Sequence, residues 1–332
     1  MGRLLGLELT RLRWRRAVVV LLAACVLVPA AIWVAVAVET RPLTDADVQR
    51  AEDQVQAELQ QPYLRDEIER CTEDPQMYGA DPDDVEASCR SMLEPRVEWY
   101  LTRQPLDLAN EREESGIGVI TILAALAMLL GTTFVGHDWN SGSMSNQLLF
   151  EPRRSRVWLA KALAVLLCGL VVGAAVLASY WTGAWLLAGA RDVQASGEQW
   201  ALIRNQNLRG MLLIGLAGLA GYALTMLFRS TVATLGILFA FTVGGSIVIS
   251  SVLGEAAARW LPSTNFLAIL QNGTEFFNGS TEGQACTEQA DGTMSCTNME
   301  TLTLAQGSVY LGVVLVVIMA ASLWSFQRRD VP

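Results

Sequence analysis

Six stretches of about twenty residues, Ala17–Val38, Ser115–Gly136, Ala162–Leu187, Gly210–Phe228, Ser230–Gly254 and Gly307–Phe326, carry almost no charge. Each is long enough to cross a bilayer core of roughly 30 Å at about 1.5 Å per residue in a helix. The chain is 52% hydrophobic and 17% charged, and it is the clustering of those charges that separates a membrane protein from one large soluble domain. The expected fold class is therefore all-α, with six transmembrane helices. A formal charge of −9, with no basic stripe left once the arginines flanking the spans are set aside, excludes nucleic acid as a partner. Disorder and a collagen-like chain are excluded by composition.

Basic residues in short segments near span ends report orientation, whereas long loops translocate largely regardless of charge. With the N-terminus inside, the inner segments hold twelve: Arg3, Arg11, Arg13, Arg15, Arg16, Arg153, Arg154, Arg156, Lys161, Arg229, Arg328 and Arg329. The short outer segments hold four, Arg191, Arg204, Arg209 and Arg259. Both termini are thus expected in the cytoplasm and the protein in a bacterial plasma membrane; 23 arginines against one lysine suit a high-GC, actinobacterial genome. The loop from Glu39 to Glu114, left out of the count for its length, carries 21 acids against 8 arginines.

Cysteine usage is an independent check, because disulfides persist outside the reducing cytosol. Cys25 and Cys168 fall within spans, while Cys71 with Cys89 and Cys286 with Cys296 form two close pairs in the two long loops assigned to the outside. Disulfides Cys71–Cys89 and Cys286–Cys296 are expected; four free thiols are the alternative. An uncleaved first span is expected rather than a signal peptide, since its apolar run of 22 residues exceeds the usual 7 to 15 of such a leader.

Along the chain, residues 1–16 read as an amphipathic interfacial helix with Leu5, Leu9 and Leu12 on one face. After span 1 (17–38), an outer helical cap (39–114) has a first helix capped by Thr44 with Asp47 three residues on, its face marked by Val48, Ala51, Val55 and Leu59. A second cap helix is expected over about 83–103, with Pro75 and Pro82 in the turn before it. Span 2 (115–136), an inner loop (137–157) and span 3 (158–187) follow, with Trp158, Trp181 and Trp185 as interfacial anchors. An outer loop (188–209) leads to spans 4 (210–228) and 5 (230–254), a hairpin turned at Arg229. The outer segment 255–306 contains AAARWLPSTNFLAIL, an interfacial or re-entrant piece broken by Pro262, and a polar loop; span 6 (307–326) and a short tail (327–332) close the chain. Gly169, Gly173, Gly215, Gly218 and Gly221 permit close helix approach, most simply within the chain.

Enzymatic chemistry finds no support in the residues. The single lysine, Lys161, follows RSRVWLA rather than a phosphate-binding glycine loop. The single histidine, His137, has only Asp138 as a neighbouring metal ligand and reads as a solvated residue at a span end. No catalytic residue, metal or cofactor is expected on this chain, and no charge is expected in the middle of a span.

The informative stretch is the inner loop GHDWNSGSMSNQLLFEPRRSRVWLAKALAV, Gly136 to Val165. Asp138 can cap a helix running to about Glu151 that offers Met144 and Leu148 at i, i+4; Pro152 ends it, and the arginines hold it to anionic headgroups. An ordinary positive-inside loop would need no such apolar face. The order Asp138, Gly142-Ser143, Leu148-Leu149, Pro152-Arg153-Arg154 and Lys161 resembles the signature of ABC-2 type transporter permeases, which more often have Glu and Thr where Asp138 and Ser143 stand.

That resemblance implies a permease subunit of an exporter, working as a homo- or heterodimer with two copies of a separate ABC ATPase that binds ATP and Mg. It implies that Asp138, Trp139, Gly142, Ser143, Met144, Gln147, Leu148, Glu151, Pro152, Arg153 and Arg154 couple to that ATPase, and that the N-terminal helix shares the thrust. The second and fifth spans would line the path, with Thr121, Thr132, Thr133, Thr234, Thr242, Ser246 and Ser250 as candidates, although hydroxyls that bond back to their own helix are the plainer state. The outer cap would cover the exit. A neutral, mostly apolar cavity suits amphiphiles such as lipids, peptides or hydrophobic drugs. A secondary transporter would call for an intramembrane carboxylate or an inverted repeat, and a membrane-anchored sensor or assembly factor would use the acidic cap as a binding module.

Overall fold

The computed structural model describes residues 1–81, 84–101, 103, 105–245, 248, 255–277, 285–288, 294–297 and 299–329, with the backbone alone at 241, 243, 255–256, 285–288 and 294–297. The chain divides into two compact units, a membrane unit of residues 1–33, 108–186 and 194–332, which holds most of the long apolar helices, and a second unit of residues 34–107 and 187–193.

In the membrane unit, helix α1 (Gly2–Trp14) precedes α2 (Arg16–Glu39). The cap supplies helices α3 (Asp45–Leu59), α4 (Pro62–Glu73), α5 (Pro75–Tyr78), α6 (Val85–Leu93) and α7 (Val97–Tyr100). The chain returns through α8 (Leu108–Glu113), α9 (Ser115–Asn140), α10 (Ser143–Phe150), α11 (Arg154–Ala190), α12 (Gly197–Phe228) and α13 (Thr231–Phe239). A π-helical turn, Ala240–Gly244, continues α13; α14 (Pro262–Gln271) and α15 (Leu304–Arg328) complete the helices.

Among the described residues, five helices are long and apolar enough to cross a membrane: α2, α9 with its α8 lead-in, α11, α12 and α15. The expected fifth span begins as α13, turned from α12 at Arg229 in the left-handed conformation, and its second half lies outside the described residues. The expected loop 188–209 is largely helical, because Ser196 and Gln199 form a capping box that starts α12 at Gly197.

Pairing of α9 with α12 organises this unit. A Cβ at Gly131 would be driven into the carbonyl oxygen of Gly218, and one at Gly221 into that of Met128. Gly169 meets the Cα of Gly215, and Gly173 packs on Ile214, so all five glycines singled out in the sequence serve packing within the chain. Gly221→Leu is accordingly expected to destabilise the α9–α12 pair by about 1–3 kcal/mol or more through forced separation. A melting temperature of the detergent-solubilised chain equal to wild type would refute it.

Trp158 and Trp181 are not interfacial anchors. Trp158 lies edge-on to Tyr222, donates its indole N–H to Ser322 Oγ at 3.1 Å, and receives the Tyr222 hydroxyl on its carbonyl at 2.8 Å. Trp181 is buried against Gly116. Only Trp185 is exposed, because the helix rotates the other two rings onto neighbours that use their polar atoms or their flat faces.

The apolar segment is interrupted at Pro262 as expected: a 3-10 helix, Glu255–Trp260, ends before it, Leu261 is extended, and Pro262 occupies the first turn of α14, where its missing N–H costs nothing. Helix α14 packs on α15, with Asn265 carbonyl and Ala268 closing on Gly307. The expected polar loop contains two antiparallel strand pairs, β1 (Thr274–Phe277) with β4 (Met299–Leu302), and β2 (Ala285–Glu288) with β3 (Met294–Thr297). Cys286 and Cys296 are opposite in the β2–β3 register, but their side chains, and so the expected bond, lie outside the described residues.

In the second unit, Thr44 and Asp47 make the expected capping box, and hydrogen bonds from Thr44, first of all its backbone N–H, hold the Asp47 carboxyl below its ordinary range. Ala51 and Val55 form the buried stripe. The expected second helix is two, α6 and α7, interrupted at Pro95, whose ring disfavours helix at the residue before it. Cys71 and Cys89 form a disulfide linking α4 to α6. Arg191 closes the end of α2 by donating to the carbonyls of Ala37, at 2.7 Å, and Thr40.

Candidate functional site

The C-terminal end of α9 and the N-terminal end of α11, with α10 between them, converge on a buried group of charges. Lys161 has no exposed side-chain surface and donates to Asp138 Oδ2 at 2.6 Å and Glu8 Oε2 at 2.8 Å. Asp138, equally buried, also accepts from Arg15 and from Ser143 Oγ at 3.2 Å. Glu8 accepts from Gln147 Nε2 at 2.5 Å, and Gln147 accepts from Arg11 at 3.3 Å. Arg15 further donates to the Phe134 carbonyl, and the Arg15 and Lys161 cations lie 4.9 Å and 5.3 Å from the Phe134 ring centroid. Glu8, Asp138, Arg15 and Lys161 balance two negative with two positive charges, the condition under which ions persist away from water.

Asp138 therefore does not cap α10. It sits on the last turn of α9, and the chain reverses at Gly142, whose φ of 67° is left-handed and suits glycine. The helix after that turn is shorter than expected and starts at Ser143. Met144, expected to face a partner, is 1% exposed in the core formed with Phe134, Val157 and Tyr222. Leu148 packs against the same core. The residues that face outward are Leu149, 80% exposed, and Phe150, 90% exposed. Beside them Ser145, Leu148, Leu149, Pro152 and Arg154 line a shallow cleft of about 340 Å³.

Trp139 packs inward, edge-on to Phe326 at 6.1 Å, with the Arg229 guanidinium 4.8 Å from its ring. Arg154 is not a lipid anchor: it donates to the carbonyls of Phe326, Gln327 and Arg329 at 3.2, 3.1 and 2.7 Å, satisfying the open end of α15 and favouring its dipole. Arg153 and Arg156 are exposed, and the Arg153 N–H donates to Glu151 Oε1 at 3.4 Å. His137 is exposed at the end of α9.

Among the path candidates, Thr121, Thr132, Thr133, Thr234 and Thr242 all donate to carbonyls three or four residues back in their own helices. Thr132 and Thr234 are fully buried, which removes them from any open surface of this chain. Ser246 and Ser250 lie outside the described residues.

Glu8 and Arg15 are the site residues that the inner-loop reading did not single out, while Lys161 was named there as a position of the resemblance but without its two partners. The buried face of α1 centres on Glu8 and Leu12, while Leu9, expected on the same face, is exposed. The available signal was an acid at i+3 from Leu5 and i−4 from Leu12, in a segment otherwise basic.

No curated protein and no solved structure matches this chain. The α9–α10–α11 turn, the apolar helices and the α1 contact all fall within residues 5–331, which match the family model described as ABC-2 family transporter protein. The chain belongs to that family and is a multi-pass, membrane-spanning permease.

Proposed function

We propose that this chain is the permease subunit of an ABC exporter, that both its termini are cytoplasmic, and that a separate ATPase docks on the exposed end of α10. The observation that carries this is Leu149 and Phe150: two large apolar side chains point outward from a helix whose other face is fixed in the core by Met144. An apolar anchor on a rigid, charge-tethered element suits force transfer, because truncation of such anchors dominates interface energetics. ATP and Mg are then bound by the partner, in two copies, and two permease chains, alike or different, enclose a path for an amphiphile such as a lipid, a peptide or a hydrophobic drug.

The test is co-purification of the ATPase with a Leu149→Asp, Phe150→Asp double variant. Burying charge where apolar side chains docked is expected to weaken recovery of the ATPase roughly tenfold or more, with the spans inserted normally. Full recovery of the ATPase would sink the assignment of α10 as the docking element.

A further inference from the structure

We infer that Glu8 is a positioning residue that binds α1 to α10 and α11, so that the three helices respond to the ATPase as one body. This rests on the exporter reading above and adds to it a residue outside the inner loop. One carboxylate serves two elements: Glu8 Oε1 takes Gln147 of α10 at 2.5 Å, and Oε2 takes Lys161 of α11 at 2.8 Å. Lys161 in turn reaches Asp138 at the end of α9 at 2.6 Å. Glu8 is 1% exposed, so water cannot replace either bond without α1 lifting away.

Burial alone would not distinguish a latch from filler, but the wiring does. Filler needs only charge neutrality, which Lys161 and Asp138 could supply as a pair. Here Lys161 is shared between two acids, and Arg15, in the turn between α1 and α2, meets the second of them. Displacement of α10 therefore pulls on Glu8 through Gln147, and displacement of α1 pulls on Asp138 through Arg15. A cluster satisfied only in one mutual arrangement has the discrete geometry that coupling requires.

The charge count supplies the experiment. Glu8→Gln alone leaves an extra buried cation and is expected to lower the yield of inserted chain. Glu8→Gln combined with Lys161→Gln leaves Asp138 with Arg15, neutral again, and is expected to restore insertion while the tie between α1 and α11 stays cut. Two readouts are taken on the double variant in its complex with the ATPase that co-purifies with wild type. Hydrogen exchange over residues 2–14 is expected to rise at least about tenfold, with α9 and α12 still protected. The ATP-plus-vanadate-dependent change in N-ethylmaleimide labelling at Thr121→Cys, a reporter on α9, is expected to fall by roughly tenfold, within the usual span of coupling strengths.

Glu8→Asp keeps the charge balance but is one methylene short of meeting both partners; it is expected to insert and to show the same two changes more weakly. A double variant with wild-type exchange in α1 and an undiminished labelling response overturns the proposal. So does a double variant that stays uninserted while Glu8→Asp retains both wild-type readouts, for then charge neutrality was the whole role. If wild-type chain recruits no ATPase at all, the exporter reading fails first, and the exchange readout still reports on the tie by itself.

Discussion

Replacing Lys161 by alanine is expected to destabilise the chain by about 3–5 kcal/mol, the range for removing one partner of a buried ion pair. Among the described residues, Lys161 is the only charged side chain that bonds to both acids of the cluster, Glu8 and Asp138. Without it, Asp138 keeps Arg15 and Ser143. Among the described residues, Glu8 keeps Gln147 and a more distant Arg11, 3.8 Å away and 44% exposed. A buried carboxylate that has lost its close cation is drawn toward water together with α1, which costs packing around Leu12 and Val18. Asp138→Asn should be milder, since the amide oxygen still accepts from Lys161 or Arg15 and the volume is unchanged. The measurement is the yield and melting temperature of the detergent-solubilised chain for the two variants side by side. Equal, wild-type values for Lys161→Ala would show that the cluster contributes nothing, and would remove the basis for a tethered α10.

Most of the architecture is legible in the sequence because its cause is local. Apolar runs define α2, α9, α11, α12 and α15 through length and absence of charge. The Thr44–Asp47 box and the Arg229 turn depend on residues within a few positions of each other. What the sequence conceals are choices made by distant partners. Trp158 has the composition of an interfacial anchor, and only the approach of Tyr222 and Ser322, 64 and 164 positions away, turns it inward. Met144 and Leu149 both lie on an eight-residue helix with apolar side chains on two faces, so periodicity could not say which one the core claims. Lys161 and Asp138, 23 residues apart, were each visible as family-like positions; their bond, and Glu8 as the third member 153 residues from Lys161, were not. Pairing across such separations follows from helix packing, which a single sequence does not encode in any local pattern.

The largest effect expected outside the membrane unit comes from the Cys71–Cys89 bond. It spans 18 residues, so the chain-entropy estimate assigns it about 3 kcal/mol. The core around it is small: Cys71, Ala80 and Cys89 are buried, and Tyr78, Val85 and Leu93 pack on them. Two polar contacts support the enclosed turn, Tyr78 donating to Glu67 Oε1 at 2.7 Å and the Asp81 N–H donating to Ser88 Oγ at 3.0 Å. A domain built from helices of 4 to 15 residues has little else to oppose local opening, because short helices are marginal without tertiary support. A Cys71→Ser, Cys89→Ser double variant is therefore expected to open residues 62–93 more often by roughly a hundredfold, 3 kcal/mol at about 1.4 kcal/mol per factor of ten. The double variant is preferable to a single one, since a lone thiol would be free to pair with Cys286 or Cys296. Limited proteolysis of the intact chain in liposomes reads the opening directly, as cleavage follows the population of the open form when reclosing is fast. Cleavage within this segment should accelerate while α9, α11 and α12 stay intact; a cleavage rate within about twofold of wild type would mean that the helices hold the cap closed without the bond.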